Sequence, residues 1–89
     1  MIVSFKNRST EMIWMGVWKD FLPEDIQIKS RENMDKLDKI SSIEDLQDDK
    51  VKIMEDESGY YSLDVNDRWR IIFLWDGRNA QRVQLIWHK

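Results

Sequence analysis

Eighty-nine residues with 42% hydrophobic and 35% charged side chains describe one small domain spanning 1–89, with a thin core and a well-solvated surface. The absence of cysteine excludes disulfides and thiolate metal sites, and one histidine gives little support to metal catalysis, so no metal or cofactor is expected. A formal charge of −3 argues against generic nucleic-acid binding.

That charge is unevenly spread. From Ile43 to Glu57 there are seven acids against two lysines, whereas from Arg68 to Lys89 there are four arginines and one lysine against Asp76 alone. No apolar run is long enough to span a bilayer, and "MIVSFKNRS" lacks the pattern of a secretory leader; a cytoplasmic, membrane-free protein is expected.

In chain order, "MIVSFK" reads as a strand from its β-branched and aromatic residues. "NRSTEM" offers Ser9 or Thr10 as a helix cap and Glu11 in the first turn, where the helix dipole favours an acid. Ile13, Trp14, Val17, Trp18 and Phe21 recur at helical spacing, predicting a helix from about Thr10 to Lys19. "LPEDIQ" starts a second helix with Pro23 at its first position, and Ile26, Met34, Leu37 and Ile40 mark one face as far as about Lys39. "SSIEDLQ" carries Ser42 three residues before Asp45, the pattern of a capped extra turn.

The rest reads as sheet. "VKIM" is a short strand and "EDESG" a loop. In "YYSLDV", Tyr61, Leu63 and Val65 share one face, with Tyr60, Ser62 and Asp64 on the other. "RWRIIFLW" puts Trp69, Ile71, Phe73 and Trp75 on one face and Arg68, Arg70, Ile72 and Leu74 opposite. Asp76-Gly77 signals a hairpin. In the last strand Val83, Leu85 and Trp87 oppose Arg82, Gln84, Ile86 and His88. The order β-α-α-β-β-β predicts an α+β fold: two N-terminal helices on one face of a small antiparallel sheet, the other face mixed and open.

On that second face Tyr60, Ser62, Arg68, Arg70, Arg82 and His88 are expected to share a surface. Guanidinium forks match phosphate oxygens, imidazole moves protons near neutrality, and a tyrosine stacks on a base. Such a set suits metal-free phosphodiester cleavage, in which one group takes the 2′-OH proton and another protonates the leaving oxygen. The plainer reading is a solvated face on which Arg68 and Arg70 pair with Asp64 or other acids.

The run "IVSFK", "STE", "LPEDIQ", "LDKISSIEDLQ", "GYYSLDVNDRWRIIFLWDG" and "VQLIWHK" resembles the HigB-type killer toxins of the RelE/ParE superfamily along essentially the whole chain. Its most specific piece, "YSLDVNDRWRIIFLW", is similar to the signature Y-S-I-R-I-N-D-Q-W-R-I-C-F-x-W. The resemblance implies a RelE-like fold and the toxin of a type II toxin–antitoxin system. It further implies a ribosome-dependent mRNA endoribonuclease, an mRNA interferase that inhibits translation, neutralised by a HigA-type helix-turn-helix antitoxin. Arg70 falls on the signature's W-R-I arginine, a phosphate-facing position.

Two departures accompany the likeness. Where the family closes in I-V-D-Y-H, this chain has "LIWHK": without a gap Trp87, His88 and Lys89 stand at the acid, tyrosine and histidine, and with a one-residue shift Trp87 stands at the tyrosine and His88 at the histidine. Either way the Asp-Tyr pair is lost, with His88 as the candidate acid or base and Lys89 as charge support. Where the family reads L-K-G-D-R-K-G, this chain has "IMEDESG", with acids that repel a nucleic-acid backbone. The sequence thus names Arg70 and His88 as catalytic candidates, with Arg68, Arg82, Lys89 and Tyr60 as RNA contacts. The alternative is a non-cleaving protein on the same scaffold, either a degenerate toxin that binds antitoxin or a ParE-like gyrase inhibitor.

Overall fold

A computed structural model describes residues 1–17, 22–49, 52–53 and 59–87. Two helices, α1 (Arg8–Trp14) and α2 (Glu24–Lys39), precede a 3₁₀ segment (Ile43–Asp49). Four strands follow: β1 (Lys52–Ile53), β2 (Tyr60–Asp64), β3 (Trp69–Trp75) and β4 (Ala80–Trp87). All neighbours are antiparallel in the order β1-β2-β3-β4, so the fold is α+β as expected.

The opening segment is not a full strand. It meets the free edge of β4 through two parallel bridges, Ile2–Ala80 and Phe5–Val83, and Asp38 of α2 accepts the Ile2 N–H at 2.9 Å. Helix α1 is capped by Asn7, whose Oδ1 accepts the Thr10 N–H at 2.9 Å, rather than by Ser9 or Thr10. Thr10 is buried instead, and its Oγ1 accepts the Leu85 N–H of β4 at 3.0 Å. That bond joins helix to sheet.

Helix α1 stops at Trp14, five residues short of the predicted end, because Gly16 takes a φ of +85°. The Gly16 N–H then reaches Ile13 O and the Val17 N–H reaches Met12 O, the paired bonds of a Schellman C-cap. Arg31 of α2 adds an Nε–H bond to Trp14 O at 3.2 Å. Val17, predicted as core, is consequently 43% exposed, and Trp18 and Phe21 lie outside the described residues.

Helix α2 begins one residue after Pro23, which takes the cap position. It buries Ile26, Ser30, Asn33, Met34 and Leu37 along one stripe. The polar members are satisfied, Ser30 by Ile26 O and Asn33 by bonding Asp64 O at 3.0 Å, so α2 is tied to the end of β2. After it, Asp45 Oδ2 accepts the N–H groups of Ser41 and Ser42; the predicted extra turn forms, as 3₁₀ helix.

The core lies between helices and sheet. Ile13, Ile26, Met34, Leu37 and Leu46 pack on Leu63, Ile71, Phe73, Ala80 and Val83, with Tyr61 stacked on Phe73 at 5.8 Å. Each such fully buried aliphatic or aromatic side chain contributes about 1.5–3 kcal/mol.

Candidate functional site

The register of β2, β3 and β4 defines the face turned away from the helices as three rows. Tyr60, Leu74 and Gln81 form one; Ser62, Ile72 and Gln84 the next; Asp64, Arg70 and Ile86 the last. The first two rows are not the open surface that the alternation suggests. Ser62 is 1% exposed, and Ile72 and Tyr60 are also buried, apart from the main core cluster. Tyr60 is therefore no free stacking platform.

Arg70 is where the sequence places it, in the row closest to the end of the sheet. Its Nε lies 3.3 Å from Asp64 Oδ1, and the two side chains are 25% and 34% exposed. This realises the plainer expectation that Arg70 pairs with Asp64. The contact is an ion pair without a hydrogen bond: Oδ1 is shielded from solvent yet accepts from no donor.

Arg68 and Arg82 do not join Arg70, for two different reasons. Strand β3 begins at Trp69, which leaves Arg68 in the turn, its N–H bonded to Asn66 Oδ1 at 2.8 Å. The Arg68 guanidinium carbon sits 5.6 Å from the ring centre of Trp87. Trp87 in turn meets Trp69 edge-on at 5.3 Å, in the alternation of the helix-covered side. An exposed cation–π contact of this kind contributes about 0.5–1 kcal/mol. Arg82 is the extra residue of a β-bulge: opposite β3 the register shifts between Ile72 and Leu74, and Arg82 has a φ of +52°. Its N–H is turned to Ser4 Oγ at 2.8 Å, outward from β3.

A bulge takes its residue out of the two-residue period, so alternation does not govern Arg82. The signal was present in sequence: the buried residues Ala80 and Val83 are three apart, while Val83 and Leu85 are two apart. His88, Lys89 and the segment from Met54 to Ser58 lie outside the described residues.

Among the described residues, no three histidine, aspartate or glutamate side chains converge as metal ligands, and no helix is long and apolar enough to cross a membrane. A concavity of about 600 Å³ opens between α1 and α2, lined by Ile13, Trp14, Val17, Ile28, Arg31 and Asp35. It contains none of the catalytic or RNA-contact candidates named from the sequence.

The face around Arg70 thus has one half-buried cation flanked by a carboxylate on β2 and an aliphatic residue on β4. Chemically a guanidinium fork in such a place can hold an oxyanion, which would have to compete with Asp64 for it. No family model matches the chain, and no curated protein matches it.

Proposed function

We propose that the chain is a HigB-like toxin of a type II toxin–antitoxin system, acting on mRNA at the ribosome, with Arg70 as the residue that holds the scissile phosphate. The reading rests on the sequence likeness along the whole chain. The single structural observation that carries it is a half-buried Arg70 on the sheet face opposite two N-terminal helices. A guanidinium held there offers parallel N–H donors to the charge that develops on a phosphodiester as the 2′-oxygen attacks. His88 is the proposed proton carrier and Lys89 its electrostatic support. Arg68 and Arg82, on the turn and the bulge, serve RNA backbone contacts outside the Arg70 row. A HigA-type antitoxin is the proposed partner, and no cofactor is required.

The test is a translating extract supplied with the purified chain, with cleavage read by primer extension. Cuts that vanish in Arg70→Ala are expected; intact mRNA after addition of the wild-type chain would overturn the reading.

A second reading has its own observation. The Asp64–Arg70 ion pair occupies the one arginine that, among the described residues, stays in the strand rows of that face, and Tyr60, two rows away, is buried. Both favour a toxin-like protein that binds without cutting. Harmless expression with retained antitoxin binding is its signature for a degenerate toxin, and DNA damage without mRNA cuts for a gyrase-directed one.

A further inference from the structure

We propose that Asp64 is a built-in competitor for the oxyanion site on Arg70, so that a phosphate group binds there only by displacing or outweighing the chain's own carboxylate. This rests on the proposed phosphate-holding role of Arg70 and adds the residue that sets how tightly the phosphate is held.

The geometry of the pair points to an occupant that fits poorly. A carboxylate meeting a guanidinium at its best makes two parallel N–H···O bonds. Here the approach recorded is from Nε, at 3.3 Å, and is not aligned as a hydrogen bond. Asp64 Oδ1 has lost its water without gaining a donor, a state that costs free energy and that a better arrangement would relieve. Among the described residues Arg70 has no partner besides Asp64, so within them nothing occupies the donors that an anion from outside would use.

The surroundings explain why the pair persists. Asp64 and Arg70 are direct register partners, and the ladder between β2 and β3 holds their backbones opposite one another. The Asp64 carbonyl is also anchored by Asn33 of α2 at 3.0 Å, which fixes the base of the side chain. On the other flank Arg70 faces Ile86, which offers no acceptor, and the next row is floored by buried Ile72 and Ser62. The carboxylate is thus held close by the backbone rather than by a bond of its own. An incoming phosphate gains the fork of Arg70 and meets repulsion from Asp64; neutralising Asp64 removes both the competitor and the repulsion.

The experiment titrates the full chain, separately, with inorganic phosphate and with a short single-stranded RNA, following backbone amide shifts on β2 and β3. Wild type is compared with Asp64→Asn, Asp64→Ser, Arg70→Gln and the double variant Asp64→Asn/Arg70→Gln. Binding is expected to tighten about two- to fivefold in both Asp64 variants, the scale of removing one partly exposed charge contact. The gain disappears when Arg70 is also replaced. A response to both ligands assigns the site to phosphate as such, and a response to RNA alone assigns it to the polynucleotide.

Equal affinity in wild type and both Asp64 variants, or a gain that survives loss of Arg70, overturns the inference. Two position-64 variants of different size guard against a folding defect in either. The outcome is separable from that of the nuclease reading. Tighter phosphate binding in Asp64→Asn with no mRNA cleavage by any variant would keep the site and remove the enzyme; cleavage with no Asp64 effect would do the reverse.

Discussion

The two sides of β3 are built from the same seven residues and behave as different materials. Toward the helices, Ile71 and Phe73 are fully buried among residues from both helices and from β2 and β4. Away from them, Arg70, Ile72 and Leu74 sit over a shallow layer in which burial falls off within two residues, from Ile72 at 7% to the half-exposed Arg70. The first side is a core whose loss unfolds the chain. The second is a patch of buried floor ending in an ion pair, where a charge is retained near apolar surface. A thin domain has enough apolar material to seal one face of its sheet, and the unsealed end of the other is where a charged ligand can be met.

The largest test of that contrast is a pair of adjacent truncations. Phe73→Ala is expected to cost about 3–5 kcal/mol and Ile72→Ala about 2 kcal/mol, measured by denaturant unfolding with unchanged m-values. Equal costs would mean that the outer face hides a second core.

A smaller effect is expected from the polar joint under the inner face. Thr10→Val keeps the shape but removes the acceptor of the Leu85 N–H, and a loss of about 1–2 kcal/mol should appear in the same measurement. A neutral result would show that the α1–β4 contact is purely apolar.

The smallest lies at the turn that joins β3 to β4. Asp76 Oδ1 accepts the N–H groups of Asn79 and Arg78, and these bonds hold its carboxyl below the ordinary 3.8. A lowered folded pKa gives stability that is present above 3.8 and lost as pH falls through the folded value. Asp76→Asn, which keeps the side-chain acceptor, should therefore match wild type in acid and fall slightly below it as pH rises into the neutral range. A parallel pH profile for the two proteins would remove the carboxylate from any role in the turn.

Much of this arrangement is legible in the sequence. The period of two in "YYSLDV" and "RWRIIFLW" assigned Tyr61, Leu63, Ile71 and Phe73 to the helix side and Arg70 to the other, and the structure agrees. It also left Asp64 and Arg70 free to pair, which they do. The early end of α1 had its signal in Gly16, overridden in the reading by apolar spacing that continued to Phe21. The Asp76-Gly77 signal located the hairpin, but the central pair is Gly77-Arg78, with Gly77 at φ +96° and Asp76 acting as the cap.

Where the reading of the site failed, the reason was context. Tyr60 and Ser62 were assigned to an open face by their alternation, which says which way a side chain leaves the strand but not what covers it. Arg82 fell out of phase because one extra residue in β4 shifts everything before it, and Arg68 because β3 starts one residue later than assumed.

The sequence by itself determined the class of the fold, the two helices and the faces of β2 and β3, since each follows from periodicity, caps and turns acting over a few residues; the preference for Arg70 over Arg68 comes only from the resemblance to the toxin signature. Only the tertiary structure decided where the arginines end up relative to one another. That depends on strand register, on a bulge and on which rows are covered, and these are set by pairing and packing between segments far apart in the chain. Asp64 meets Arg70 by contrast through the local register of the β2–β3 hairpin, six residues apart in the chain, which is why that pairing alone could be anticipated from the sequence.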